Sequence, residues 1–334
     1  MAKWKVLITD KEYENINNEK AVLEKIGAEI FVFQEKKEER IIEILKDVKP
    51  DAIIVQFAPI TRRVIECMPQ CKIIAKYAIG YDNVDVAAAT EHNICVTNVL
   101  DYCVDEVSTH TVALLLCMLR KITVLNSQVK SGVWGYNNVK KIHSLHTMVL
   151  GLNSFGKIAR LTAEKMKPFG VKMIAYDPYV PAELMQSYGV EQVSFDELIE
   201  RSDILSNHVG VTDSTRGMFN WEVFKKMKQN AFIINTGRGP VINEPDLIRA
   251  LESKEIAGAA LDVLDPEPVQ KNNPLLGMDN VIITPHMAYY TEESLGSLQR
   301  MAAENVAQRL EGFMPRYFVN REISEKLGLK KLID

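Results

Sequence analysis

Three segments of the second half carry side chains whose types, taken together, suit carbonyl chemistry. Arg238 stands in Phe232–Val241 (FIINTGRGPV), Asp262 and Glu267 in Ala257–Pro268 (AGAALDVLDPEP), and His286 in Ile282–Tyr290 (IITPHMAYY). Each sits at or after the end of a run that reads as a strand, where open α/β sheets place their ligands. An arginine holds a carboxylate through a two-pronged, charge-assisted contact and polarises a neighbouring carbonyl. A histidine gives a proton to a forming alkoxide and takes it back in the reverse direction. A carboxylate beside that histidine stabilises the imidazolium. Singly, each has a plainer reading: a solvated arginine, a structural histidine, a surface Glu-Pro turn. As a set they supply what carbonyl reduction beside a carboxylate requires.

A second group lies upstream. Met148–Arg160 (MVLGLNSFGKIAR) reads as a strand, a turn and a helix starting near Phe155. Gly151 and Gly156 fill the first and third positions of a dinucleotide-binding glycine fingerprint, and Asn153 fills the second. Asn tolerates positive φ, so the turn can form, with the Asn153 side chain expected beside the phosphates. Ser154 and Phe155 complete the turn. Asp177 ends the next strand (MIAYDPY), 21 residues after Gly156. An acid there accepts from ribose hydroxyls and repels a 2′-phosphate, and Pro178–Val180 supplies no arginine. The pair reads as an NAD site.

These residues need an α/β frame. Trp4–Thr9, Glu29–Phe33, Asp51–Gln56 and Lys72–Lys76 read as buried strands, with amphipathic helices near 14–27, 38–48 and 61–68. Alternation of strand and helix marks a parallel sheet covered on both faces. From Tyr102 to Lys130 one long helical stretch is expected. Its apolar residues on several sides point to burial between domains or against another subunit. A Gly-containing loop, SGVWGYNN, follows. A second series then has strands at Thr147–Gly151, Val171–Tyr176, Ile204–Val209, Ala231–Asn235, Ala257–Leu261 and Val281–Thr284. Ser194 and Glu197 have capping-box spacing. A helix near Thr291–Glu311 closes the pattern and is expected to return to the first domain. The expected domains are 1–100 with 288–334, and 101–287.

Composition narrows the classes. The 334 residues are 47% hydrophobic and 25% charged, with a formal charge of −4. That excludes a disordered chain and gives no footprint for nucleic acid or an anionic membrane. The longest apolar run, Thr111–Leu119, is too short to span a bilayer, and the N-terminus lacks a signal-like apolar region. Five scattered cysteines without a CxxC pair suggest reduced thiols and a cytoplasmic protein. His143 and His146 are the one histidine pair at ligand-like spacing; no metal is expected there or elsewhere.

The order of GLNSFG, YDPY, NTGRG, ALDVLDPEP and TPH resembles the NAD-dependent D-isomer-specific 2-hydroxyacid dehydrogenases. Lys76–Val99 (KYAIGYDNVDVAAATEHNICVTNV) is similar to that family's substrate-domain segment. Asp105–Arg120 (DEVSTHTVALLLCMLR) is similar to the segment leading into its cofactor domain. The resemblance implies two Rossmann-like α/β domains: a doubly wound NAD-binding sheet and a flavodoxin-like substrate domain closing around cofactor and substrate. It implies that Arg238 binds the substrate carboxylate, Glu267 pairs with His286, and His286 is the acid/base. Asp262 would hold the nicotinamide carboxamide. Val209–Thr215, with Val209, Gly210 and Thr215, and Thr236–Gly237 would line the cofactor cleft. Lys76, Ile79 and Gly80 would meet the substrate carboxylate. DYCVDEVSTH and PHMAYYTEES are most similar to the branch containing the C-terminal-binding proteins, in which Tyr289 would face the substrate. Asn153, Ala78 and Thr109 depart from the family pattern, which often has Gly, Gly and Glu there.

The expected activity is hydride transfer between NADH and a small 2-keto acid, in a homodimer. Two alternatives stand beside it: an NADH-sensing binding protein of the C-terminal-binding type, and a 3-phosphoglycerate dehydrogenase. The second would want extra cations, for which Lys76, Arg62 and Arg63 are candidates. Tyr289 and Phe57 suit an apolar or aromatic substrate side chain, or ordinary packing equally.

Overall fold

Short runs of β-branched and small apolar residues, buried on both faces, set the architecture of this computed structural model, which describes residues 3–136, 139 and 142–331. Ala52–Val55 and Ile73–Lys76 are buried at every position, as strands inside a parallel sheet must be. The first elements are β1 (Trp4–Ile8), α1 (Asn17–Leu23), β2 (Ala28–Val32), α2 (Glu38–Val48), β3 (Ala52–Val55), α3 (Arg62–Glu66), β4 (Ile73–Lys76), α4 (Val86–Glu91) and β5 (Cys95–Thr97). Helix α2 buries Ile41, Leu45 and Val48, a spacing that puts all three on one face.

Then follow α5 (Val104–Arg120), α6 (Ile122–Lys130), β6 (Val149–Asn153), α7 (Lys157–Met166), β7 (Lys172–Tyr176), α8 (Ala182–Ser187), β8 (Glu191–Gln192), α9 (Phe195–Arg201) and β9 (Ile204–Asn207). The chain continues with α10 (Trp221–Lys226), β10 (Phe232–Asn235), α11 (Glu244–Glu252), β11 (Gly258–Leu261), β12 (Val281–Ile283) and α12 (Glu292–Leu310). Two capping boxes start helices: Ser194 with Glu197 at α9, and Thr291 with Ser294 at α12.

The chain forms two compact units. One comprises Met1–Tyr102 with Thr291–Asp334, the other Cys103–Tyr290. In the first, five parallel strands run in the order β2-β1-β3-β4-β5, the flavodoxin-like order. Helix α12 packs on α1 and β4 of this unit, and Gln299 donates to the carboxylate of the buried Glu19 at 3.0 and 3.1 Å. Burial pushes the Glu19 carboxyl up, although bonds from Tyr77, its own backbone and Gln299 oppose that.

The second unit has seven parallel strands in the order β12-β11-β10-β9-β6-β7-β8. The chain runs outward from β6 through β7 to β8, then restarts on the other side at β9. The switch point therefore lies between β6 and β9, where doubly wound sheets bind ligands.

Three expectations change. The stretch Tyr102–Lys130 is two helices, because Lys121 takes a left-handed φ of 55° and the axes bend by 60°. Helix α5 is buried inside its own unit, where Leu114, Leu115, Met118 and Leu119 join a core with Leu150 and Ala159, whereas α6 buries none of its residues. The helix after the glycine turn starts at Lys157 with Gly156 as its cap, two residues later than Phe155. In the loop after α6, Asn137 and Asn138 lie outside the described residues.

Candidate active site

All strands of the second unit are parallel, so the ends of β6, β7, β9, β10, β11 and β12 share one edge. The loop after β10 carries Arg238. Its neighbour Gly239 is required by close approach: a Cβ there would overlap the Leu264 carbonyl of the loop after β11. Arg238 is half-buried and its Nη1 donates to Gly237 O at 2.8 Å. Thr236 is buried, and its hydroxyl lies 2.9 Å from that of Thr111 on α5.

Glu267 accepts from the backbone N–H of Leu264 at 3.0 Å through Oε1, while its Oε2 lies 2.7 Å from His286 Nδ1. The Asp265–Pro266 and Glu267–Pro268 peptide bonds in this loop are cis. Burial raises the Glu267 carboxyl. The hydrogen bond and charge of His286, the Leu264 N–H and the charge of Arg238 outweigh it and hold the group below the ordinary range. His286 itself takes a left-handed φ of 51°, and its backbone N–H donates to Asp262 O at 2.8 Å. The side chains of His286 and Glu267 are 44% and 38% exposed, so the pair opens to solvent. The Tyr289 ring stands edge-on to His286 with centroids 6.3 Å apart.

Asp262 is buried and anchors the histidine loop. Its carboxylate accepts from Met287 N and Ala288 N, both at 3.0 Å, and from the Thr284 hydroxyl. His110 Nε2 of α5 meets that same hydroxyl at 3.0 Å. Sequence reasoning missed His110 and Thr284; only the spatial neighbourhood of α5 and β12 joins them.

At the glycine turn one expectation is corrected. The residue with positive φ is Ser154, at 81°, and Asn153 is the last residue of β6. Asn153 is fully buried with its Nδ2 on Asn207, and is bound within the sheet. The strand runs two residues further than the expected end at Gly151, so the turn opens at Ser154. Gly151 is needed where it stands, because a Cβ would overlap the Ser202 hydroxyl. Asp177 closes the turn: its carboxylate accepts from Phe155 N at 2.8 Å, Ser154 Oγ at 3.3 Å and Tyr179 N at 2.9 Å. The Phe155 ring itself is core, edge-on to Tyr188. In the loop after β9, Thr215 Oγ1 donates to Gly210 O at 2.7 Å and folds Val209–Thr215 on itself. These residues fit a dinucleotide. Gly156 opens α7 with no side chain over the first amides, and a carboxylate ends the adjacent strand.

Lys76, Ile79 and Gly80 lie in the first unit. Lys76 is buried at the end of β4, with its ammonium 5.7 Å from the Phe57 ring centre; Lys36 lies 4.6 Å from the same ring. Ile79 O accepts from Asn98 Nδ2 at 2.7 Å. Asp10, missed in the sequence, is fully buried and accepts from the backbone N–H groups of Gln56, Phe57 and Ala58 at 3.1, 2.6 and 3.3 Å. Arg62 is paired with Glu91 at 2.6 Å and Arg63 with Glu38 at 3.1 Å. Among the described residues no three His, Cys, Asp or Glu side chains could hold a metal ion, and no single helix is long and apolar enough to cross a membrane.

Comparison with known proteins identifies the family. Residues 112–288 match the family model for the D-isomer specific 2-hydroxyacid dehydrogenase NAD binding domain. The chain is 38% identical over 331 residues to the D-3-phosphoglycerate dehydrogenase of Methanocaldococcus jannaschii, covering 98% of this chain but 62% of that longer relative. It is 34% identical to the glyoxylate reductase of Thermofilum pendens, covering 87% of each. Among solved structures, D-lactate dehydrogenase from Aquifex aeolicus with NAD and lactic acid superposes with a TM-score of 0.82 at 28% identity, over 92% of this chain and 96% of that one. The glyoxylate reductase from Paecilomyes thermophila gives 0.87 at 27%, over 96% and 100%. The chain belongs to the D-isomer-specific 2-hydroxyacid dehydrogenases, a family of NAD-dependent oxidoreductases acting on the CH–OH group of 2-hydroxy acids.

Proposed function

We propose that this chain reduces a small 2-keto acid to the D-2-hydroxy acid, and catalyses the reverse reaction. The observation that carries the reading is the 2.7 Å contact between His286 and Glu267, with Arg238 close enough to lower Glu267. NADH, when bound, supplies the hydride to the carbonyl carbon. Arg238 holds the substrate carboxylate and draws density from the carbonyl. His286 gives the alkoxide its proton, and Glu267 stabilises the imidazolium that precedes transfer. Ser154, Phe155, Gly156 and Asp177 hold the adenosine half, Phe155 through its backbone, and Gly151 lets β6 pack against Ser202 behind them. Val209, Gly210, Thr215, Thr236 and Gly237 line the remainder. Asp262 holds the histidine loop, and Oδ2 keeps a lone pair for the nicotinamide carboxamide. Tyr289 borders the substrate side chain.

The test is NADH oxidation with glyoxylate, hydroxypyruvate, pyruvate and aromatic 2-keto acids. Turnover on at least one supports the reading; NADH binding without turnover on any would support the cofactor-sensing alternative. The pairing of Arg62 and Arg63 with glutamates supports an unphosphorylated acid. The exposed face of α6, with Trp134 at 89% and Tyr136 at 78% exposure just after it, supports a homodimer built on this surface. Five free thiols support a cytoplasmic location.

A further inference from the structure

Strands β6, β9 and β10 each end on an asparagine: Asn153, Asn207 and Asn235. The parallel register sets Asn153 beside Asn207 and Asn207 beside Asn235. All three are fully buried. Asn153 Nδ2 donates to Asn207 Oδ1 at 2.9 Å, and Asn207 Nδ2 donates to Asn235 Oδ1 at 3.0 Å. Asn235 Nδ2 then donates to the carbonyl oxygen of Arg238 at 2.9 Å, while its Oδ1 accepts from Gly237 N at 3.1 Å.

The direction of this ladder is fixed from one end. Asn235 meets a backbone carbonyl and a backbone amide, so its oxygen must face Asn207. Asn207 must then turn its amide to Asn235 and its oxygen to Asn153. Asn153 presents its amide in turn, and its own Oδ1 is buried without a hydrogen-bond partner among the described residues. Apolar side chains would fill three fully buried strand positions without this desolvation cost. The ladder spans the switch point between β6 and β9 and ends on the backbone of the residue read as the carboxylate anchor.

We propose that the Asn153–Asn207–Asn235 ladder positions Arg238, with Asn207 as its middle link, and that Asn153 serves this ladder rather than the cofactor phosphates. The proposal rests on the reading of Arg238 as the substrate-carboxylate anchor. Asn207→Asp keeps the acceptor for Asn153 but sets an oxygen against Asn235 Oδ1. Asn153→Gly removes the first link and adds no atoms.

The experiment measures NADH affinity by fluorescence, affinity for oxamate (an unreactive 2-keto acid analogue) by calorimetry at saturating NADH, and steady-state KM and kcat. Asn207→Asp is expected to raise oxamate Kd and keto-acid KM by ~10–10²-fold, the scale of misplacing a substrate-positioning group, with NADH Kd within about threefold. Asn153→Gly is expected to move the same two quantities in the same direction, although it lies two strands away from Arg238. A drop in melting temperature with oxamate Kd and KM within about twofold of wild type would make the ladder merely structural and overturn the proposal. Tightened NADH binding in Asn153→Gly with unchanged KM would overturn it too, by returning Asn153 to the phosphate site. If Asn207→Asp does not fold, Asn153→Gly decides alone. Wild-type protein that binds NADH but neither binds oxamate nor turns over a keto acid would instead defeat the reading of Arg238, which the variants cannot do.

Discussion

His286 Nδ1 and Glu267 Oε2 lie 2.7 Å apart at the mouth of the second unit's sheet, each about two-fifths exposed. Replacing Glu267 with Gln keeps the shape and removes the charge that stabilises a protonated ring. Turnover is expected to fall by ~10²-fold or more, and by ~10²–10⁴-fold in His286→Ala. NADH affinity should stay near wild type in both. Fluorescence titration that showed NADH binding lost with turnover would make the pair structural.

Arg238 offers a planar fork, which a lysine ammonium cannot reproduce. Arg238→Lys is therefore expected to raise the KM for every accepted keto acid by ~10–10²-fold. The effect on kcat should be smaller. Steady-state kinetics in which KM stayed fixed would remove the arginine from the substrate.

Asp177 joins the glycine turn to the end of β7 through Phe155 N and Ser154 Oγ. Asp177→Asn is expected to weaken NADH binding by about tenfold, the loss of roughly one charged hydrogen bond. It should also narrow the preference for NADH over NADPH, because the repulsion of a 2′-phosphate is gone. Parallel titrations with both dinucleotides check this; an unchanged ratio of the two affinities would contradict it.

Burial pushes the His208 imidazole down to about 4 from an ordinary 6.5. Its Nε2 lies 2.9 Å from Ser206 Oγ. Between those two values the unfolded chain binds a proton that the folded chain refuses. The residue is harmless above that window and costs stability as pH falls through it. In His208→Gln the decline between pH 7 and pH 4 should be shallower than in wild type. Urea midpoints taken across this range test the sign; parallel curves would show that another group controls acid unfolding.

Helix α6 and the loop after it give the association prediction. Light scattering is expected to show twice the mass of one chain, and Trp134→Asp should shift the protein towards a monomer. A wild-type protein at single-chain mass would end the dimer reading.

Much of this was legible in the sequence because β-branched runs and glycine turns are local signals. The strands ending in Asn207, Asn235 and Leu261 lie where their apolar runs lie. The short β5 and α4 leave no clear signal in the sequence, since three and six residues carry little periodicity. Lys121 broke an expected helix through one left-handed residue that an apolar pattern cannot report. The glycine fingerprint aligns Asn153 with the turn; only the register with Asn207 shows that it belongs to the strand. The asparagines were visible one by one. Their connection required knowing that β6, β9 and β10 are adjacent, an order that the chain does not follow. His110, Thr284 and Asp10 were hidden for the same reason: each acts on a backbone or side chain distant in sequence.

The glycine at position 239 has a consequence for substrate choice. Because no Cβ separates Arg238's loop from the Leu264 carbonyl, the backbones bearing Arg238 and Glu267 touch. On the proposed reading, the group that grips the acid and the pair that delivers the proton are then spaced as one piece, leaving little play between them. With that spacing held, an oxo group directly beside the carboxylate is expected to meet His286 better than one a carbon further along, which rates on matched 2- and 3-keto acids would check. The same contact that excludes a side chain at Gly239 would thus make the enzyme measure distance along its substrate, accepting 2-keto acids of varied tail and refusing 3-keto acids of similar size.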